Sequence, residues 1–168
     1  LQTFPEPSKA TRLVSGSYFC IEGQRGAVRR ARTFVRRLGG RPFEIQPELK
    51  PVYHAAAVLA SGGVTSLLNI SINALVKCGL DEASARRAIL PLSEGTLATI
   101  RMLGTAKALT GPVRRGDVAT VELNRDHLKR VSARASRIYE LLAIESLDLA
   151  SKTGTDERAL KRMRKVLG

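Results

Sequence analysis

Two charged or titratable side chains sit on apolar helical sequence that does not need them for folding. His54 lies near the start of a long helical run without charged residues, positions 52 to 76, and an imidazole at that place can protonate a nascent hydroxyl or hold a carboxylate. Arg115 lies in the turn sequence GPVRRGD, where its planar guanidinium can clamp a carboxylate or phosphate, or pair with Asp117. These residue types are typical of proton transfer to an anionic substrate.

Each of these residues also has a structural interpretation. A histidine at a helix start can simply bond to the backbone, and Asp117 is placed to cap the helix that follows it. Ser61 offers a hydroxyl on the same helix as His54, although serine in a helix often bonds to the carbonyl one turn earlier. Tyr53 is predicted to be a packing residue, because neighbouring helix positions face different directions.

The sequence indicates neither a metal centre nor a nucleophilic triad. Its two histidines, His54 and His127, are far apart and lack an accompanying acidic cluster. No strained turn of the kind that presents a catalytic serine occurs. We therefore expect no metal ligands.

The first part of the chain predicts a β-α-β unit. Residues 18–22 and 41–45 read as short strands, and residues 25–38 read as an amphipathic helix that stops at Gly39 and Gly40. We expect the two strands to be parallel. Since two strands make no stable sheet alone, something is expected to precede Leu1 or to cover the open edge.

From Pro47 onward the pattern is helical. Residues 52–76 predict a long central helix, buried on most sides; a membrane span is disfavoured because polar residues and Gly62-Gly63 interrupt it. Asp81 should cap a helix that kinks at Pro91 and ends near Gly104, and positions 110–112 should form a turn. Three more helices are predicted over residues 117–133, 135–152 and 156–166, the last of which is basic and expected to fray.

Composition supports a soluble, mainly α protein. The 168 residues are 43% hydrophobic and 26% charged, and only 4% are aromatic, which favours helix-on-helix packing. Cys20 and Cys78 have no CxxC spacing, so two buried thiols in a reducing cytoplasm are expected.

The formal net charge of +13 raises the possibility of nucleic-acid binding. However, the arginines at positions 29, 30, 32, 36 and 37 fall on the outer arc of one helix, which is typical of a solvated face. With few aromatic stacking residues, we expect weak, salt-sensitive binding to polyanions and no specific nucleic-acid site.

Five motifs give the chain a family resemblance: LQTFPEP at the start, YFCIEG at 18–23, YHAAAV at 53–58, LPLSEGTL at 90–97 and LTGPVRRGD at 109–117. With these motifs it resembles bacterial proteins in which a Rossmann-like NAD(P)-binding domain precedes the helical domain of unknown function 2520. More distantly, it is similar to ketopantoate reductase, pyrroline-5-carboxylate reductase and the deazaflavin-dependent NADP oxidoreductases.

The resemblance implies a mainly α fold: residues 1–46 as the last piece of a Rossmann-like domain, and residues 47–168 as an all-helical dimerisation and substrate domain. It implies an NAD(P)-dependent reductase of a small carbonyl or imine substrate, working as a homodimer without membrane attachment. His54 and Ser61 would be catalytic, and Arg115, Asp117 and Thr120 would bind substrate.

The chain also departs from this family. Gly62 stands where the family typically has asparagine, and Asn124 where it often has histidine. The Gly-rich dinucleotide loop is absent from the sequence, so we expect poor dinucleotide binding by this chain. A non-enzymatic dimeric scaffold, derived from a reductase, is the alternative function, and a basic nucleic-acid-binding protein is a third.

Overall fold

The computed structural model describes residue 1 and residues 14–168. Strand β1 (Tyr18–Ile21), helix α1 (Arg25–Arg37) and strand β2 (Arg41–Glu44) form a β-α-β unit. The strands are parallel, with Tyr18 opposite Arg41 and Ile21 opposite Glu44, as predicted. The motif LQTFPEP lies outside the described residues apart from Leu1.

The turn between α1 and β2 contains two glycines, and close packing explains the second, Gly40. A Cβ at Gly40 would lie 2.6 Å from the Phe19 ring and 2.9 Å from a methyl group of Val35. Only hydrogen fits between these side chains, so the glycine lets α1 pack closely on the sheet.

A continuous helical segment follows. It comprises a 3-10 turn (Pro47–Leu49), α2 (Lys50–Val58), a π-helical turn (Leu59–Gly63) and α3 (Val64–Lys77). The predicted helix is confirmed, but its predicted burial is wrong for the single chain. No residue from Pro47 to Lys77 is buried, and Leu59 is 71% exposed. The reason is that the described elements cover this surface only in part: Tyr53 contacts Phe43, whereas large apolar residues such as Leu59 stay exposed.

The segment from Pro47 to Lys77 is also long and apolar enough to cross a membrane, with a mean hydropathy of 1.6. Length and composition alone give this result. Three of its hydroxyl groups, on Ser61, Thr65 and Ser71, donate to carbonyls one turn earlier at 2.9–3.1 Å. The polar residues that most oppose a lipid environment are therefore His54 and the asparagines of α3.

Helix α4 (Glu82–Ala108) begins where its sequence predicts, but its non-helical geometry is at Gly104 and not at Pro91, where the kink was predicted. The Asp81 carboxylate accepts from the Ser84 backbone N–H at 3.0 Å, which is a normal N-cap. Gly104 has φ 77° and breaks the helical geometry, so the predicted end near Gly104 is a kink with one further turn beyond it.

Four helices complete the chain: α5 (Gly111–Arg115), α6 (Val118–Val131), α7 (Ala133–Ser151) and α8 (Glu157–Leu167). The predicted turn at 110–112 is instead the start of α5, with Pro112 in its first turn. Helices α5 to α8 enclose one core, formed by Val113, Val121, Ala143, Leu147, Ala150, Leu160, Met163 and Leu167.

The core contacts of α8 argue against the prediction that this last helix frays. Leu160, Met163 and Leu167 recur along one face of α8 and are 6%, 0% and 3% exposed. Its basic residues occupy the remaining faces, so the same helix is both strongly charged and anchored in the core.

The chain divides into two compact units, residues 1–66 and residues 67–168. The change from β-α-β to helix occurs at Pro47, where the sequence places it. The domain boundary after residue 46 rests on that change and stays a prediction. Of the two cysteines, Cys20 is partly buried and Cys78 is exposed, so the expectation of two buried thiols fails for Cys78.

Candidate functional site

In the first unit, the start of α2 is fixed to the strand ends. The Lys50 ammonium pairs with the Glu22 carboxylate, immediately after β1. The Tyr53 ring contacts the Phe43 ring edge to face, with centroids 5.9 Å apart. These contacts hold α2 beside the carboxyl ends of two parallel strands, which is where α/β proteins bind ligands.

The ionisation of these anchoring groups follows from their contacts. The hydrogen bond to Glu22 and its charge raise the pKa of Lys50 above its usual value, with partial burial acting the other way. Burial raises the pKa of Tyr53. Lys50 is therefore a cation and Tyr53 a neutral ring, which supports the prediction that Tyr53 packs rather than exchanges protons.

His54 follows Tyr53 and lies one helical turn after Lys50. Its side chain is exposed, and within the described residues it has no hydrogen bond. The structural interpretation, an imidazole satisfied by backbone at the helix start, is therefore not what the structure shows. The His54 imidazole is exposed, on the helix whose start Lys50 and Tyr53 hold at the strand ends.

Ser61 lies in the π-helical turn, two helical turns beyond His54. Its hydroxyl donates to the Ala57 carbonyl at 2.9 Å, the bonding expected of serine in a helix. The oxygen keeps lone pairs that can accept from a ligand. Single π-helical turns are rare in proteins, and many of those that occur lie at functional sites. This one contains both Ser61 and Gly62.

Gly62 borders open space. A Cβ at this position would meet no atom within 4 Å, and its backbone does not adopt a positive φ. A side chain such as asparagine would therefore fit without strain. Packing within the described chain therefore does not require a glycine at position 62, and the side-chain amide of the family's asparagine is simply absent from the surface of the helix.

In the second unit, most of the motif LTGPVRRGD builds the fold. Val113 is buried in the core. The Arg114 guanidinium donates to the Thr155 hydroxyl at 3.1 Å, and this hydroxyl donates to the Arg114 carbonyl at 2.8 Å. Gly116 has φ 71°, and a Cβ there would lie 3.2 Å from that of Ala159.

Asp117 and Thr120 are hydrogen-bonded to each other. The Asp117 carboxylate accepts from the Thr120 backbone N–H at 3.0 Å and from the Thr120 hydroxyl at 2.6 Å. These bonds lower the pKa of Asp117, with a smaller effect from the charge of Arg115. The capping interpretation of Asp117 is therefore confirmed, and a substrate-binding role for either residue stays a prediction.

Arg115 is the polar residue of this motif that remains available. Its side chain is exposed, and in the described part of the chain it makes no ion pair or hydrogen bond. Because Arg114, Gly116 and Asp117 fix the backbone on both sides, the guanidinium projects from a rigid turn.

The predicted site residues thus fall into two groups: His54 and Ser61 in the first unit, and Arg115, Asp117 and Thr120 in the second. Their convergence on one pocket stays a prediction. Sequence reasoning missed the Glu22–Lys50 pair. The signal for it was a carboxylate directly after a strand and a Lys-Pro step at a helix start. Among the described residues, no group of three or more His, Cys, Asp or Glu could hold a metal ion.

Comparison with known proteins adds a family and a structural relative. The family model described as a domain of unknown function (DUF2520) matches residues 17–146. A crystal structure of protein TM1727 from Thermotoga maritima is similar with a TM-score of 0.79 and 27% identity, over 89% of this chain. This chain spans 60% of the length of that protein. No curated protein matches.

Proposed function

The chain belongs to the DUF2520 family, and we propose that it is the substrate-binding and dimerisation part of an NAD(P)-dependent reductase in the cytoplasm. Its substrate would be a small carbonyl or imine compound with an anionic group. In this proposal His54 supplies a proton to the reduced atom, and Ser61 accepts a hydrogen bond from the substrate. Arg115 binds the anionic group, with Asp117 and Thr120 fixing the turn that carries it.

The observation that carries this proposal is the exposed His54 imidazole, which has no hydrogen-bond partner among the described residues and belongs to the helix whose start is fixed at the carboxyl ends of the parallel strands. A proton donor in a reductase must reach within about 3 Å of the reacting atom, so it has to be exposed and held on a rigid element. His54 meets both conditions, because the Glu22–Lys50 ion pair and the Tyr53–Phe43 contact fix the start of α2.

The residues of this chain do not by themselves fit a dinucleotide. The phosphate-binding Gly-rich loop that opens a Rossmann fold does not occur in the 168 residues. We propose that the cofactor, NAD or NADP, is held mainly by sequence outside these 168 residues; this chain covers only 60% of the length of TM1727. The chain's own part is binding and protonating the substrate.

The test is an assay of the complete product of the gene that encodes this chain. It is expected to oxidise NADH or NADPH with members of a series of small 2-oxo acids or cyclic imines, monitored by cofactor absorbance. The isolated chain is the control and should not turn over. If the complete product fails to bind either dinucleotide at roughly 1 mM, the reductase proposal is wrong.

In that event the alternative, a dimeric scaffold derived from a reductase, becomes the better one. The observation that favours it is the bare surface at Gly62, where a Cβ would meet nothing within 4 Å. The reductase and scaffold proposals therefore make opposite predictions for the same assay.

We further propose that the partner of the chain is a second copy, which covers the apolar surface from Pro47 to Lys77. Leu59 is 71% exposed and Val52 is 65% exposed. Large apolar surfaces of this kind mark interfaces, and homodimers are the commonest oligomers. A second copy fits better than lipid, because His54 and the α3 asparagines lie along the same helix.

Leu59→Lys should convert the dimer to a monomer, because a lysine ammonium would be buried without a partner at the interface. Phe34→Lys is the matched control: Phe34 is 63% exposed on α1 and lies outside the apolar surface. Sedimentation velocity at micromolar concentration measures both. A wild-type monomer of 18.2 kDa, or a chain that partitions into lipid vesicles, would contradict the proposal.

A further inference from the structure

Helix α4 is buried near its two ends and bare between them. Its buried residues, Ala85 and Ala108, lie in its first and last turns. Leu92 and Leu97, in the middle, are 68% and 57% exposed. This middle part contains the motif LPLSEGTL at positions 90–97. The motif therefore contributes no buried residue to the single chain.

Gly95 lies inside this motif without a reason that the single chain supplies. Glycine inside a helix lowers its stability relative to alanine. A Cβ at Gly95 would nevertheless meet no atom within 4 Å, and its φ is not positive. Both observations also hold for Gly62, in the helical segment from Pro47 to Lys77, which we call the central segment. Since a helical glycine permits close approach by another backbone, we look for that backbone outside the chain.

Each of the two glycines lies beside large apolar side chains that are exposed. Val58, one turn before Gly62, is 48% exposed, and Leu59 beside it is 71% exposed. Leu92 lies about one turn before Gly95. The central segment and α4 thus share one pattern, a gap next to an apolar projection. Two such helices fit each other when they cross, because the projection of one fills the gap of the other.

A second copy of the chain is the occupant that both surfaces fit. Helices α3 and α4 are joined by the short turn at 78–81, but within the described chain they do not pack along each other. Gly62 and Gly95 stay open in the single chain. A two-fold dimer, in which α4 of each copy meets the central segment of the other, covers both surfaces in both copies.

Lipid is a poor occupant of α4. This helix carries four charged residues between positions 86 and 101. Unlike the central segment, it is not apolar enough to cross a membrane. A bilayer would therefore cover one of the two bare surfaces and leave the other exposed, whereas a second copy covers both.

We propose that α4 of each copy crosses the central segment of the other, with Gly95 against Gly62. Val58 and Leu59 lie against the partner's α4 beside its glycine, and the partner's Leu92 fills the open space at Gly62. Because the helices cross, the contact extends only about one turn to either side of each glycine. This contact rests on the dimer proposed above and is independent of the reductase reaction.

The crossing gives the partner a place in the candidate site. Ser61 precedes Gly62 in the π-helical turn, so the partner's α4 lies at the edge of any pocket that uses the Ser61 hydroxyl. A single copy then holds an incomplete site. Packing between copies, rather than within one chain, also gives a reason for glycine at position 62, because a larger side chain would occupy the space of the partner's Leu92.

Disulfide cross-linking tests the contact. Single-cysteine chains Gly62→Cys and Gly95→Cys, each also carrying Cys20→Ser and Cys78→Ser, are mixed, refolded together and oxidised. The mixture should yield a species of twice 18.2 kDa on a denaturing gel, because a disulfide needs Cα atoms within about 7 Å. Each chain oxidised alone should stay at the mass of one chain. A mixture of Gly62→Cys and Gly26→Cys is the control, since Gly26 lies on α1.

The pattern of cross-links separates this contact from the dimer itself. If either single variant cross-links with itself as readily as the mixture does, like helices meet at the two-fold axis and the crossing is refuted. A wild-type dimer whose mixed pair cross-links no better than the control also refutes the crossing and leaves the dimer standing. A wild-type chain that sediments as a monomer refutes both.

Leucine substitutions test whether the two gaps are filled in the dimer. In the single chain, Gly62→Leu and Gly95→Leu place a side chain in open space and remove a residue that weakens helices, so helical content by circular dichroism should be retained. At the crossing the added side chain collides with the partner. Each variant should therefore raise the dissociation constant of the dimer at least roughly tenfold, measured by sedimentation velocity.

Gly26→Leu is the matched control on α1. A Cβ at Gly26 would meet only the end of the Arg30 side chain, at 3.8 Å, so this variant makes the same exchange on another open helix surface. It should change the dissociation constant less than roughly twofold, as expected for a surface position outside the contact. A Gly95→Leu chain that dimerises as tightly as wild type would overturn the proposal.

Discussion

Met163→Ala is expected to destabilise the second unit by about 3 kcal/mol, within the range for large-to-small changes in a core. The Met163 side chain is 0% exposed and packs in the cluster that α5 to α8 share. Truncation removes apolar contacts and leaves a cavity that four helices cannot easily close. The effect should appear as faster amide hydrogen exchange throughout α7 and α8, because these helices share one core.

The matched control is Met102→Ala on α4. Met102 is 74% exposed, so the same atoms are removed and the same gain in helix propensity is made, without loss of packing. It should change the free energy of unfolding by less than about 0.5 kcal/mol. Similar values for the two variants would mean that α8 frays in solution, as the charge pattern of its sequence suggests.

The difference between α8 as predicted and as observed shows where sequence reasoning stops. Its basic residues are conspicuous, whereas the face that matters carries only Leu160, Met163 and Leu167 in 11 residues. A narrow apolar stripe shows that a helix has one buried face, but not whether a partner element covers it. That depends on α5 to α7, which supply the rest of the core.

For the long helical segment the prediction was wrong in the opposite direction, because it expected burial where the structure shows exposure. A run without charges predicts burial, but burial needs a covering surface, and the described chain covers Pro47 to Lys77 only in part, so that none of these residues is buried. The β-α-β unit, by contrast, was predicted with its strand direction because its signals are local. Gly39 and Gly40 end α1, and alternating short apolar runs form the strands.

For the candidate site, the sequence identified residue types well and contacts poorly. The sequence placed Arg115 in a turn, yet the hydrogen bonds that hold this turn join Arg114 to Thr155 across 41 residues. The Glu22–Lys50 pair spans 28 residues and joins two unremarkable positions. Long-range polar pairs leave no periodic trace in a sequence, so only the folded chain reveals them.

The second large effect concerns His54 in the complete reductase. His54→Ala should lower turnover about 100-fold, the lower end of what a positioned proton donor contributes. The reduction would then depend on water for its proton. Tyr53→Phe is the neighbouring control: it removes one hydroxyl from a ring that packs on Phe43 and should leave turnover within about twofold of wild type.

Arg115→Lys should weaken substrate binding rather than lower turnover. Lysine keeps the positive charge but loses the planar pair of donors that holds a carboxylate, so the Michaelis constant should rise roughly tenfold while turnover changes little. Arg162→Lys on α8, which makes the same exchange at another exposed position, should affect neither constant. A fall in turnover with an unchanged Michaelis constant would place Arg115 at the reacting atoms.

The double variant decides whether His54 and Arg115 serve one pocket. If both contact the same substrate, the loss in kcat/KM of the double variant should differ from the sum of the single losses, because a substrate released from Arg115 is also misplaced for protonation. Strict additivity would mean that the two residues act separately. In that case His54 alone would define the site in the first unit, and the rigid turn around Arg115 would serve the fold or another ligand.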